Sequence, residues 1–382
     1  MSQGVEWAAF ILGFAITSYT FSSVLRSLVI PRGLTSLMAS SASNLTRKSF
    51  LFVSNRFDSY EVKDRIIAFQ GPVFLIVLLL TWLVSFILGF ALMLWVLIDG
   101  SFGQALLESG SSTFTLGFAA THTPAPTVIH FIAAGTGLVV VALLIAYLPT
   151  LYSAFNRRET LVTMLQSRGG APSWGPEILA RHHIVGLLGN LPGFYLDWER
   201  WAADVTESHV NYPVLIWFRS PHPLRSWIVS LLAVLDAAAM QLSLAPSRAP
   251  TEARLCLRMG FTCLRTIADL LRIPYDPDPL PGDEIQLTYE EFAAGVERLR
   301  AVSYPLEVTA EQAWPDFHGW RVNYEALAYA LADLVVAPPG PWSGPRDHLP
   351  GMAIVPERPP NRDPRNPQGE GRPQAERSNR HA

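Results

Sequence analysis

The residues of this chain best suited to handling ions are Ser111-Ser112-Thr113-Phe114-Thr115-Leu116-Gly117-Phe118-Ala119, a charge-free, hydroxyl-rich run between two long apolar segments. A backbone that leaves helical geometry at membrane depth must line water or be buried in protein, because lipid cannot hydrogen-bond its N–H and C=O groups. Carbonyl oxygens of an extended loop can replace a cation's hydration shell. Thr115 adds a hydroxyl, and Gly117 reaches backbone angles that other residues avoid. Thr115, Leu116, Gly117, Phe118 and Ala119 are therefore the candidate ion pathway, with the Leu116 and Phe118 side chains able to pack outward behind it. Ser112, Thr113 and Glu108 are candidate supports. Glu108 either braces the loop through a hydrogen bond or caps its helix and faces the outer vestibule. His122 and His130 flank the mouth, where solvated histidines titrate near neutral pH.

Such a loop needs spanning helices to hold it. The 382-residue chain is 49% hydrophobic and only 16% charged, with a mean hydropathy of +0.23, a composition that points to a membrane. Residues 5–30 make a first apolar segment of about the 20 residues that a crossing helix needs. No charged lead precedes it and no small-residue cleavage site follows, so residues 1–31 are expected to form a retained transmembrane helix. Its Thr17, Ser18, Thr20, Ser22 and Ser23 suit contact with other helices. Residues 32–68 are expected to form a basic cytoplasmic linker with an amphipathic lead-in helix over 60–69. Residues 71–98 are an almost unbroken outer helix, 103–113 a short helix of about three turns, and 128–155 an inner helix closed by Arg157 and Arg158. Lys and Arg gather in 32–68 and after residue 155 and are absent between Asp99 and Val128. By the positive-inside rule the N-terminus and the loop face outside and the C-terminal half lies in the cytoplasm. The expected localisation is the plasma membrane, with the bilayer as a partner.

The order outer helix, short re-entrant helix, Ser112-Thr113-Phe114-Thr115-Leu116-Gly117-Phe118, inner helix resembles the potassium-channel superfamily across residues 69–158. By that resemblance Thr115 to Phe118 take the positions of the filter's Thr-Val-Gly-Tyr, and Ser112 that of the threonine three residues earlier. Ala119 stands where the family has its second glycine and Ala120 where it usually has aspartate. The resemblance implies a homotetramer that conducts potassium passively, with no cofactor beyond the permeating cation. It also places Gly135 and Gly137 where a hinge glycine often lies and Pro149 where some members kink. A gate and simple small-residue helix packing remain alternatives for both glycines, whereas Pro149 is expected to kink the helix. The alternative function is a non-conducting, membrane-anchored sensor or scaffold built on the same fold, for which Ala119 is the motive.

Beyond the inner helix, residues 159–336 carry amphipathic helical stretches punctuated by Pro and Gly and no run alternating with period two, so an all-α cytoplasmic domain is expected. Its ligand is unknown. Ser226–Leu244 is apolar enough for a fourth span, but Asp236 at its centre favours a buried soluble helix. Cys256 and Cys263 share a helical face and read as reduced core thiols. Trp198, Trp201, Tyr212 and Trp217, and later Trp314, Phe317, Trp320 and Tyr324, read as core, and Arg219 and Arg321 as partners of buried carboxylates. His182 and His183 lack a companion for zinc. The net charge of −3 gives no reason to expect nucleic acid, and no phosphate-binding, dinucleotide or hydrolase motif suggests an enzyme. Residues 337–382, rich in Pro, Gly, Arg, Asn and Gln, are expected to be a disordered tail.

Overall fold

A computed structural model of the chain describes residues 3–30 and 36–345. Among the described residues the fold is all-helical, without a strand. Four helical stretches are long and apolar enough to cross a membrane: Gly4–Leu28, Tyr60–Leu97, Pro124–Gly169 and Trp227–Leu244.

The N-terminal half contains six helices: α1 (Gln3–Leu28), α2 (Leu37–Ser54), α3 (Tyr60–Ile67), α4 (Gln70–Leu97), α5 (Phe102–Thr113) and α6 (Pro124–Gly169). α1 lies along α4, and small residues let the two backbones meet. A Cβ on Gly13 would stand 2.5 Å from the Gly89 carbonyl oxygen, and one on Gly89 would stand 2.4 Å from Thr17 Oγ1. Lower down, Trp82 Nε1 donates to Ser23 Oγ at 3.0 Å, and Ser23 shares a hydrogen bond of 2.7 Å with Ser36. The hydroxyls of α1 thus serve helix packing, chiefly on α4.

Two corrections to the sequence reading concern helix extent. Residues 37–54, expected as polar linker, form α2, capped by Ser36 and packed on α4. Its apolar residues Leu37, Leu45, Phe52 and Val53 remain exposed, the pattern of a helix lying at a membrane surface. The inner helix does not stop at residue 155. α6 continues to Gly169 and through Pro149 without a break, because Arg157 and Arg158 find partners in the domain below and do not end the helix.

The C-terminal half packs α7 (Gly175–Ile184), α8 (Leu191–Asn211), α9 (Trp227–Leu244), α10 (Thr251–Leu271), α11 (Tyr289–Arg300), α12 (Ala310–Arg321) and α13 (Glu325–Leu334) around one core. α9 is the centre. Its length and composition fit a span, yet every residue of it except Leu242 is buried among its neighbours, so no face is left for lipid. Asp236, which argued for a soluble helix, is paired with Arg321 of α12 and accepts from the Tyr324 hydroxyl at 2.8 Å. Cys256 and Cys263 are buried and free, and burial pushes the Cys263 thiol up to about 12. α12, which carries Trp314, Phe317 and Trp320 into the core and its margin, starts with a capping box at Thr309 and Gln312.

The chain beyond α13 also departs from expectation. Ala337 and Trp342 are buried in the domain core, and Ser343 Oγ donates to the Gly340 carbonyl at 2.6 Å. Packing against Trp174 and Phe317 holds the Trp342 ring. The remainder of the expected tail lies outside the described residues.

Several contacts besides the Arg157–Asp204 pair join spans and domain. Arg158 of α6 is fully buried and donates to the Leu215 and Phe218 carbonyls at 2.9 and 2.6 Å, while Glu159 balances its charge. The Arg158 Nη1 approaches His209 Nε2 at 3.2 Å, and His209 Nδ1 bonds the Val205 carbonyl. Burial and the guanidinium push that imidazole down to about 3, so a neutral His209 accepts from Arg158 through Nε2. Phe218 stacks edge-on against Tyr152 and Phe155 of α6. Arg219 ties α3 to the domain's end by bonding Asp64, the Tyr60 hydroxyl and the Val335 and Val336 carbonyls.

Candidate functional site

The site is the turn between α5 and α6. α5 is short because Ser101 caps its start, accepting from the Gln104 N–H, and because the chain leaves helical geometry after Thr113. It is fixed laterally to α4, Ser109 Oγ donating to the Ile87 carbonyl at 2.8 Å. Against α6 the approach is closer still. A Cβ on Gly137 would fall 2.0 Å from the Thr113 carbonyl oxygen.

The loop turns back beneath the end of α5. Leu116 N–H donates to the Ser111 carbonyl at 2.7 Å and Thr115 N–H to the Ser112 carbonyl at 2.9 Å. Ser111 Oγ then accepts from two successive amides, Phe118 N–H at 3.1 Å and Ala119 N–H at 3.2 Å. Thr115 and Gly117 have φ of +56° and +72°, and the residues between and after them, Leu116 and Phe118, do not share that handedness. Alternating handedness lets successive amides face one side and successive carbonyls the other. For Thr115, a β-branched residue, the left-handed region costs about 1–2 kcal/mol. Strain of that kind gathers at functional sites.

Behind the loop stands a buried polar array. The Glu108 carboxylate accepts from Thr121 N–H at 3.2 Å, from Thr121 Oγ1 at 2.8 Å and from Gln104 Nε2 at 3.3 Å. His130 Nε2 is 3.3 Å from Glu108 Oε2, off the line of a hydrogen bond, and its Nδ1 shares a hydrogen bond of 2.8 Å with Ser112 Oγ. Of the two roles open to Glu108, the structure has the brace: the residue is buried and holds the far leg of the loop. His130 is a correction. It lies in the second turn of α6, buried against α5, because the helix starts at Pro124 and carries it inward. His122 stays in the loop before that helix.

The other sequence candidates separate. Ser112 is bonded to His130, whereas Thr113 Oγ1 is buried with no hydrogen-bond partner. Gly137 sits at the α5–α6 contact, so packing accounts for it. Gly135 has nothing within 4 Å of where its Cβ would be, and with Pro149 it lies on the exposed face of α6. Leu116 and Phe118 do not pack behind the loop within one chain; they are 62% and 64% exposed. Ser111, Thr121 and Gln104 were not singled out as supports. Only the serine-rich run hinted at Ser111, and the reach of Glu108 across thirteen residues to Thr121 leaves no local signature.

The double acceptor can be tested directly. Ser111→Ala orphans two amides, at a cost of about 1–3 kcal/mol for each that stays buried. Hydrogen exchange of residues 114–123 in the detergent-solubilised protein should quicken at least several-fold, while Ser111→Thr, which keeps the oxygen, should hold the native rate. Equal exchange in all three proteins would mean that the hydroxyl does not hold the loop.

Comparison with family models, with curated proteins and with solved structures finds no match to this chain. Function has to be argued from the site itself.

Proposed function

We propose that the chain is one subunit of a passive cation channel, with potassium as its foremost ion and the loop Thr115–Phe118 supplying the coordinating oxygens. The observation that carries this reading is the alternation of backbone handedness at Thr115 and Gly117 in a loop whose amides are tied back to Ser111. Amides held behind leave carbonyls free in front, and rings of such carbonyls can replace a cation's water. The C-terminal end of α5 ends at this loop and adds the negative pole of its dipole. The potassium-channel resemblance adds to the reading, with α4 as outer helix, α5 as pore helix and α6 as inner helix.

One loop cannot surround an ion, so the reading requires rotational symmetry, and a homotetramer is the assembly proposed. A face of α6 supports a protein neighbour: Val128, Phe131, Leu138 and Ile145, with Gly135 and Pro149 among them, stand exposed at helical spacing and run down from the equally exposed Phe114, Leu116 and Phe118. The absence of Lys and Arg from residues 66–156 and their presence in 26–65 and from 157 onward support an orientation in a cell membrane with the loop outside and the helical domain in the cytoplasm. That domain, fixed to α6 through Arg158, would gate or assemble the pore.

Liposomes loaded with potassium and containing the purified protein test the proposal. Flux above empty vesicles is expected, with Gly117→Ala abolishing most of it: a methyl at φ +72° costs about a kcal/mol or more even where, as here, no atom crowds it. Absence of flux in a verified tetramer would favour the non-conducting sensor or scaffold, for which Ala119 in place of glycine is the motive. A monomer in lipid would remove the channel reading altogether.

A further inference from the structure

A cavity of about 410 Å³ lies where the spanning helices meet the helical domain. Its walls are the last turn of α1, the first turns of α2 and α4, Tyr147 of α6, residues 211–217 and the end of α10. Among the described residues two arginines line it, Arg26 and Arg272, and no carboxylate does. Both are exposed, and Arg272 closes α10 in the left-handed conformation, at φ +57°, where glycine is the usual residue. A side chain kept there at conformational cost suggests a use. Phe74, Leu75 and Leu78 of α4 give it an apolar wall, and Ile76 and Leu80 of the same helix are exposed. Ser40, Ser43 and Asn44 of α2 add polar side chains to the lining.

We propose that this cavity binds an anionic phospholipid of the leaflet on the domain side. The phosphate sits between Arg26 and Arg272, the glycerol and headgroup hydroxyls meet Ser40, Ser43 and Asn44, and the acyl chains lie along Phe74, Leu75 and Leu78. A small soluble anion would satisfy the arginines but leave the apolar wall against water. A zwitterionic lipid would satisfy the wall but bring its own cation to two guanidiniums. The inference needs α1 and α4 to be in the membrane, and it holds whether or not the chain conducts. A lipid bound there touches α1, α2, α4 and α10 together and so clamps the spans to the domain.

The test is titration of the full-length protein in detergent with dioleoylphosphatidylglycerol or dioleoylphosphatidylcholine, read by native mass spectrometry and by melting temperature. Phosphatidylglycerol should stay bound and raise the melting temperature, and phosphatidylcholine should do neither. R26Q/R272Q should weaken retention of phosphatidylglycerol roughly tenfold or more, at about 1 kcal/mol per charge. K48Q, which removes an exposed charge outside the cavity, should leave it unchanged. Ser40→Trp fills the cavity with both arginines intact and should abolish retention. The proposal is overturned if the two lipids bind alike, if inorganic phosphate reproduces the shift, if K48Q costs as much as R26Q/R272Q, or if R26Q/R272Q retains phosphatidylglycerol like the native protein. The lipid comparison needs no variant, so a misfolded mutant leaves it standing.

Discussion

Gly137→Ala is expected to cost about 1–3 kcal/mol of stability, the range for forcing an extra methyl into a packed contact, and to silence conduction in the assembly proposed above. The new Cβ would lie 2.0 Å from the backbone oxygen of Thr113. A backbone carbonyl cannot swing aside as a side-chain tip can, so α5 must back away from α6 by an ångström or more. That shift carries Thr113, and with it the first residue of the loop. Gly135→Ala supplies the contrast: nothing stands within 4 Å of that position, and alanine is favoured over glycine in a helix interior by about 0.5–1 kcal/mol. Melting temperatures of the two variants in one detergent should therefore move in opposite directions. If Gly137→Ala melts with the native protein, the contact drawn between α5 and α6 is wrong. If Gly135→Ala keeps its stability but loses flux, Gly135 is a hinge.

Arg321→Ala should destabilise the helical domain by about 3–5 kcal/mol, the cost of leaving buried charge without its partner. Arg321 is fully buried and bonds Asp236, Glu325, the Tyr329 hydroxyl at 2.8 Å and the Trp342 carbonyl at 2.8 Å. One guanidinium thus joins α9, α12, α13 and the segment after α13. Removing it strands two carboxylates. Replacing the three charged groups together, as Arg321→Met, Asp236→Leu and Glu325→Met, should recover part of the loss, because no buried charge remains, while the Gln286 and Leu287 amides and the Tyr324 hydroxyl lose their acceptors. Urea unfolding of the full-length protein followed by tryptophan fluorescence measures both. A loss under about 1 kcal/mol for Arg321→Ala, the size of an ordinary substitution, would show that the cluster is not buried as described.

The same cluster carries a pH signature. Burial pushes the Asp236 carboxyl up to about 6, against the pull of Arg321. A group whose folded value lies above its unfolded one contributes stability that is complete below about pH 4 and lost as pH rises through about 6. Lowering pH from 7 to 5 should thus stabilise the native protein relative to Asp236→Asn, in which the position no longer titrates. Parallel profiles for the two proteins would mean that Asp236 does not take up a proton in this range.

Much of this architecture could be read from residue order, and the failures have two causes. Runs of apolar residues long enough to cross lipid marked α1, α4 and α6, and Asp236 marked α9 as a domain helix despite its hydropathy. The amphipathic stretch from Tyr60 and those of α7 to α11 and α13 lay close to the helices observed. α2 was missed because a helix lying on a membrane surface needs only a narrow apolar edge, and its serines and basic residues read as linker. Arg157 and Arg158 read as a helix stop because their partners, Asp204 and the carbonyls of residues 215 and 218, stand at least 47 residues away. Distance in sequence also hid half of the candidate site. Thr115 and Gly117 were visible from their own chemistry, whereas the contact of His130 with Ser112 and the grip of Glu108 on Thr121 exist only once α5 and α6 are side by side. Gly137 illustrates the point most plainly: its type announced an unusual role, and only the Thr113 carbonyl decided which.

α6 has 46 residues, which at 1.5 Å each is a rod of about 69 Å. Near its top it touches the loop through His130 and Gly137, and near its base Arg158 grips the domain. The helix runs on through Pro149 between these places, so a displacement at one end is carried towards the other. A tilt on the order of 5° imposed at Arg158 moves Gly137, about 31 Å along the rod, by about 3 Å, enough to disturb its close contact with the Thr113 carbonyl. Mechanical advantage of this size means that a small rearrangement of the helical domain, well below the scale of unfolding, repositions the loop's support. By the same geometry anything that clamps the base of α6 stiffens the turn at the other end of the molecule.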